Sequence, residues 1–189
     1  GVIGRRYPMD RVRAGVAAMP EMPDGTSADD AARGIMTTDT VAKVAEATVA
    51  GSAARVVGIA KGVGMIEPDM ATMIAVLLTD AEIAADPLDA AFRRVVDRTF
   101  NCVSIDTDTS TSDSSIIMAS GAAGAVDLGR FESALYDVAV DLTKQIARDG
   151  EGANSLIEVV VDGAAPGVDE STQPRPAETD EGEGGSADG

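Results

Sequence analysis

A layered α/β fold, an α+β sandwich in which helices cover sheet, is what this sequence predicts, on three observations. Short apolar segments of strand character alternate with amphipathic helical segments along roughly the first 160 residues. The chain has 189 residues, of which 44% are hydrophobic, enough for one domain with a sizeable core. Aromatic residues are only 3%, so that core is packed with aliphatic side chains.

The elements follow in chain order. Ser27 to Met36 reads as a short helix, with Ser27 as N-cap and Asp29 and Asp30 in the first turn, where carboxylates favour the helix dipole. Val41 to Val49 alternates as a strand, and Arg55 to Ile59 returns as its hairpin partner through Gly51-Ser52. Thr72 to Leu78 is a short apolar run that suits a strand buried on both faces. Asp86-Pro87 predicts a helix start, N-cap then proline at N1, with Leu88, Ala91, Phe92, Val95 and Phe100 mostly on one face. Ser115 to Ser120 reads as another strand. Asp127 opens the longest helix, whose stripe of Leu128, Phe131, Leu135, Val138, Leu142 and Ile146 ends near Gly150. A final strand is expected from Ile157 to Val161. No internal repeat is present.

Composition excludes several chemistries. There is no histidine, so neither a Ser-His-Asp triad nor a histidine zinc site can be built from this chain. The one cysteine, Cys102, has no intrachain partner for a disulfide, which fits a reducing compartment and predicts a small core residue. Formal net charge is −17, from 15 basic and 32 acidic residues, which disfavours nucleic acid and anionic membranes. With no apolar run long enough to span a membrane and no signal-like opening, the expectation is a soluble, cytoplasmic protein. Only Lys43, Lys61 and Lys144 are lysines; a salt-loving host and a high-GC coding sequence with an acidic tail both account for this balance.

One segment carries chemistry. Lys61 to Met73 contains Gly62, Gly64 and Pro68, residues that bend a chain, and it delivers Thr72 to the start of an apolar strand. Were the chain cut before Thr72, the freed α-amine could serve as general base for its hydroxyl, the N-terminal threonine form of nucleophilic catalysis. The residues alone favour a structural threonine opening a strand, because threonine is common in strands. Asp106, Asp108 and Asp113 lack calcium-loop spacing and predict a polar loop rather than a metal site. The ends carry expectations too. Gly1-Val2-Ile3-Gly4 opens as though a first element were absent, and 165–189, rich in Glu, Asp, Gly, Ser and Pro, is expected to be a disordered acidic tail or an out-of-frame reading.

Five segments together resemble the ornithine acetyltransferase / glutamate N-acetyltransferase family of arginine biosynthesis. They are Gly1-Val2-Ile3-Gly4-Arg5, Ile35 to Thr40, Lys61 to Met73, Ser104 to Thr111, and Asp149-Gly150-Glu151-Gly152-Ala153. The resemblance covers about residues 1 to 164 and implies an autoprocessing enzyme of layered, N-terminal-nucleophile-like architecture. It implies cleavage between Ala71 and Thr72, giving an α part, 1–71, and a β part from 72 that stay associated, typically as a dimer of αβ units. Thr72 would then take the acetyl group of N-acetylornithine and pass it to glutamate, with no cofactor, although some members also use acetyl-CoA.

The same resemblance assigns residues. Gly1 matches the second member of the family's Thr-Gly oxyanion pair, whose threonine is absent from this sequence. Thr37, Lys61 and Glu151 match substrate-binding positions, as does Thr72 itself; judged alone, Lys61 would be a solvated loop lysine and Glu151 an exposed residue past a helix end. The family's Asn-Ser-Pro-Leu-Val-Lys-like and Asp-Pro-Asn-Trp-Gly segments and its C-terminal substrate-binding asparagine do not occur here, and the chain has no tryptophan. These departures predict an incomplete enzyme. Two other classes remain open on the sequence: an amidase or aminopeptidase with an N-terminal nucleophile, and a non-catalytic acidic interaction module.

Overall fold

Four segments whose residues alternate between more and less buried positions along most of their length build one sheet, in the order β1-β2-β3-β4. A computed structural model of the chain describes residues 6–19, 28–64, 73–105 and 113–160. Within these, the strands are β1 (Lys43–Thr48), β2 (Arg55–Lys61), β3 (Ile74–Glu82) and β4 (Ser114–Ala125). The helices are α1 (Met9–Ala17), α2 (Ala28–Ile35), α3 (Ala85–Asp97) and α4 (Leu128–Arg148). The expected α/β class, helices layered on sheet, is what forms.

The β1–β2 hairpin is the one the sequence predicts. Its strands are antiparallel, with Val44 opposite Ile59, and Gly51 takes a positive φ of 77° in the connection. β3 adds antiparallel to β2, and β4 adds parallel to β3 after the α3 crossover. Parallel neighbours require such a crossover because the end of one strand and the start of the next lie at opposite ends of the pair. The β3–β4 ladder breaks register between Thr79 and Ala81, which lets β4 continue to Ala125, beyond the predicted Ser120.

One face of the sheet meets α4. Val56, Ala60, Ala75, Leu77 and Ala81 are buried there with Phe131, Leu135, Val138, Leu142 and Ile146 of the helix. Each such large side chain contributes about 1.5–3 kcal/mol of transfer free energy. Gly58 allows the close approach, since a Cβ at that position would stand 2.7 Å from Leu142 Cδ1 and 2.9 Å from Val138 Cγ1. Asp127 caps α4 as expected, its side chain accepting the Arg130 N–H. Leu128, counted in the apolar stripe, is exposed.

Several expectations are corrected. β3 is not buried on both faces: its residues alternate, and Leu78 is 46% exposed, because α4 covers only one side. α3 begins two residues early, with Ala84 as N-cap, so Asp86 and Pro87 sit inside its first turn. Proline is tolerated there because first-turn N–H groups have no intrahelical acceptor. Phe100 belongs to a short 3₁₀ turn, Phe100–Cys102, rather than to α3. Cys102 is exposed, not a core residue; its thiol faces the Asp97 carbonyl at the surface. Residues 157–160 form no strand and are exposed, Ile157 to 80%, for no described strand pairs with them. Contacts divide the chain after Leu156, and 157–160 fall in the second unit. α1 was not legible in the sequence because it buries no residue and so carries no core-facing stripe. Ser27, the expected cap of α2, lies outside the described residues.

Candidate functional site

The site forms at the end of the sheet where β1, β3 and β4 begin and β2 stops, since Lys61 pairs with Ile74 and Ile74 with Ser114. Three loops meet there. One precedes β1 and carries Thr37 and Asp39; one follows β2 and carries Gly62 and Val63; one follows α4 and carries Asp149 and Glu151.

A buried ion cluster joins them. Lys43 is fully buried, and its Nζ lies 2.7 Å from Asp39 Oδ1 and 2.5 Å from Asp149 Oδ2, carboxylates whose side chains are 1% and 4% exposed. Asp39 also accepts the Gly62 N–H at 2.7 Å and the Thr37 N–H at 3.2 Å. Asp149 accepts the Thr40 N–H at 3.1 Å and the Thr40 hydroxyl. Burial opposes ionisation of both carboxyls, yet the Lys43 ammonium and the surrounding donors outweigh it, and each is held below the ordinary 3.8. Gly62 has φ 150°, a conformation glycine favours, and so aims its N–H at Asp39 directly after Lys61.

The candidate residues that the structure describes are drawn into this loop cluster. The Glu151 N–H donates to the Val63 carbonyl at 2.5 Å, tying the α4 exit to the β2 exit. Thr37 and Glu151 are exposed. Lys61 is not the solvated loop lysine that its residue type alone implies: it ends β2 and is 8% exposed. Among the described residues its ammonium has no hydrogen-bond or ion-pair partner. Lysine is rarely buried to this degree without a counter-charge.

Thr72, Ala71 and Gly1 lie outside the described residues. The residue bonded to Thr72 is described: Met73 donates its N–H to Asp113 Oδ1 at 2.6 Å, at the same end of the sheet. Asp113 thus stands one residue before β4 at this end of the sheet, while Asp106 and Asp108 lie outside the described residues. The Lys43 cluster was missed, although a signal existed. In the β1 alternation Lys43 shares a face with Ala45 and Ala47, so a core-facing lysine required carboxylates from elsewhere. Among the described residues no group of three or more metal-ligating side chains is arranged to hold a metal ion, and no helix is long and apolar enough to cross a membrane.

Sheet, helices and loop cluster define a mixed α/β protein with a partly buried cation at the mouth of its strands. The chain belongs to the ArgJ family, whose profile matches residues 1–172. It is 59% identical over 165 residues to "Arginine biosynthesis bifunctional protein ArgJ 2" of a Nostoc species, a match covering 87% of this chain and 42% of that protein. It is 56% identical to "Glutamate N-acetyltransferase Oat2" of Streptomyces clavuligerus, covering 87% of this chain and 41% of that one. A crystal structure of the Bacillus halodurans arginine biosynthesis bifunctional protein argJ is 41% identical, with a TM-score of 0.38, over 40% of this chain and 38% of that one. The chain therefore spans about 42% of the length of such relatives.

Proposed function

We propose that this protein is an acyltransferase of arginine biosynthesis that moves an acetyl group from N-acetylornithine to glutamate. Family membership supports the class, and one relative is named a glutamate N-acetyltransferase. The observation that carries the substrate reading is Lys61, a largely buried lysine without a carboxylate partner among the described residues, beside exposed Thr37 and Glu151. Its ammonium pairs with a substrate carboxylate, Glu151 with a substrate amine, and Thr37 with a polar group of the donor.

The reaction runs in two halves. Cleavage between Ala71 and Thr72 frees the Thr72 α-amine, which takes the proton as the Thr72 hydroxyl attacks the acetyl carbonyl. Backbone donors at Gly1 stabilise the oxyanion, the C–N bond breaks, and ornithine leaves with the returned proton. Glutamate's amine then attacks the acetyl ester, the ester C–O bond breaks, and the Thr72 hydroxyl is restored. The α and β parts stay associated throughout, as a dimer of αβ units in the cytoplasm. No cofactor takes part, and acetyl-CoA serves as a second acetyl donor to glutamate.

Intact mass spectrometry of the parent and Thr72→Ala, followed by incubation with N-acetylornithine with and without glutamate, tests this. The expected result is cleavage in the parent alone, an acetyl adduct on the chain starting at Thr72, and N-acetylglutamate only when glutamate is present. Acetate release indifferent to glutamate identifies a hydrolase. An uncleaved parent that forms no adduct overturns the reading.

A further inference from the structure

Asp39 is set apart by what its two oxygens hold. Oδ1 accepts the Gly62 N–H and the Lys43 ammonium, both at 2.7 Å, while Oδ2 accepts the Thr37 N–H at 3.2 Å. One rigid carboxylate thereby spans the backbone of Thr37 and the backbone immediately after Lys61. Its side chain is 1% exposed, so water cannot readily replace these bonds. Asp149 meets the same ammonium, but its other donors both belong to Thr40.

We propose that Asp39 is a positioning residue for substrate binding, fixing the separation of Thr37 and Lys61 through their backbones. The proposal rests on the acyltransferase reading above. Its logic is geometric: if Lys61 and Thr37 grip different parts of one small donor, a shift between their loops weakens the grip without touching the reacting atoms. Lys43 supports this as the cation that keeps Asp39 ionised and acceptor-only at both oxygens.

Two isosteric substitutions separate this role from a general need for the buried cluster. Asp39→Asn and Asp149→Asn each remove one negative charge beside Lys43. At position 39, backbone N–H groups approach both oxygens and neither can reverse, so an amide turns its NH₂ towards one of them and loses that bond. At position 149 the Thr40 hydroxyl can rotate from donor to acceptor, so an amide keeps its partners.

The experiment is steady-state kinetics on the full chain with N-acetylornithine as donor and glutamate as acceptor, for the parent and both variants. For Asp39→Asn the expected result is a KM for N-acetylornithine raised about tenfold with kcat changed less than about twofold, from one lost charge-assisted hydrogen bond. Asp149→Asn, which keeps its hydrogen-bond partners, should raise that KM less than Asp39→Asn does. Partial unfolding lowers the number of active molecules, hence kcat, and leaves KM unchanged, so a purely structural role gives the opposite split. A parent that transfers acetyl groups while Asp39→Asn keeps its KM, or raises it no more than Asp149→Asn does, overturns the positioning role alone. A parent that transfers nothing overturns the acyltransferase reading and this proposal with it.

Discussion

Asp113 accepts the backbone N–H of Met73 at 2.6 Å across 40 positions of sequence. The Met73 carbonyl in turn accepts the Ser114 N–H at 3.0 Å, so the entry to β4 holds both polar backbone groups of the residue that follows Thr72. Met73 itself is 8% exposed, which makes an unpaired N–H there costly. The peptide bond leading out of the proposed nucleophile is therefore clamped on its C-terminal side.

Loosening that clamp should slow self-cleavage. Asp113→Ala leaves the Met73 N–H without its acceptor and is expected to slow appearance of the chain starting at Thr72 about tenfold, the effect of one charge-assisted hydrogen bond. Asp113→Asn keeps a carbonyl oxygen for the same N–H and should cleave close to the parent rate. Time-resolved intact mass measures both. Equal rates for parent and alanine variant would remove Asp113 from any account of the scissile segment.

Stability should fall in acid, with a known sign. Asp39 and Asp149 have folded-state pKa values below the ordinary 3.8, so the unfolded chain binds more protons in this range and stability rises with pH. The contribution is fully present above the unfolded value and is lost as pH falls below about 3.8 through the folded values. Urea unfolding between pH 2 and 7 reads it: Asp149→Asn should flatten the acid limb. An unchanged slope in that variant would show that this carboxyl does not govern acid unfolding.

Gly58→Ala should destabilise by about 1–3 kcal/mol, the usual cost of overpacking. The added methyl would meet Leu142 and Val138, which are 0% and 1% exposed and have nowhere to move. Chemical denaturation compares it with Gly15→Ala, where a Cβ would meet nothing within 4 Å and glycine only weakens a helix. The two substitutions should have opposite signs.

Gln145 closes the outer edge of the sheet. Its amide accepts the Val44 N–H at 3.2 Å and donates to the Val44 carbonyl at 2.8 Å, as a neighbouring strand would. Gln145→Ala is expected to cost about 1–2 kcal/mol for two part-buried backbone groups left without partners. Gln145→Glu should not restore it, because a carboxylate can accept from Val44 but cannot donate. Full rescue by glutamate in an unfolding titration at neutral pH would contradict this geometry.

Local patterns made much of the fold legible. The β1–β2 hairpin followed from alternation around Gly51-Ser52, and α4 from an apolar stripe beginning at a capping Asp127, because a turn, a cap and a helical stripe are each written in residues close together in sequence. Boundaries were less legible. α3 starts at Ala85 rather than at the Asp86-Pro87 signal, since proline is compatible with several first-turn positions. The segment at 157–160 has strand composition, but strand formation needs a pairing partner that composition does not contain.

The same division runs through the site. Sequence alone determined the α/β class, the acidic charge balance and the absence of histidine chemistry, because residue type and spacing are local properties, while its resemblance to the acetyltransferase family supplied Thr37, Lys61, Thr72 and Glu151 as candidates. Only the tertiary structure decided that Lys61 is buried without a described partner, that Asp39 ties Gly62 to Thr37, and that Asp149 lies on Lys43 across 106 positions. Such contacts join loops distant in sequence, and their strength comes from removing charges from water, which happens only when the chain has closed around them.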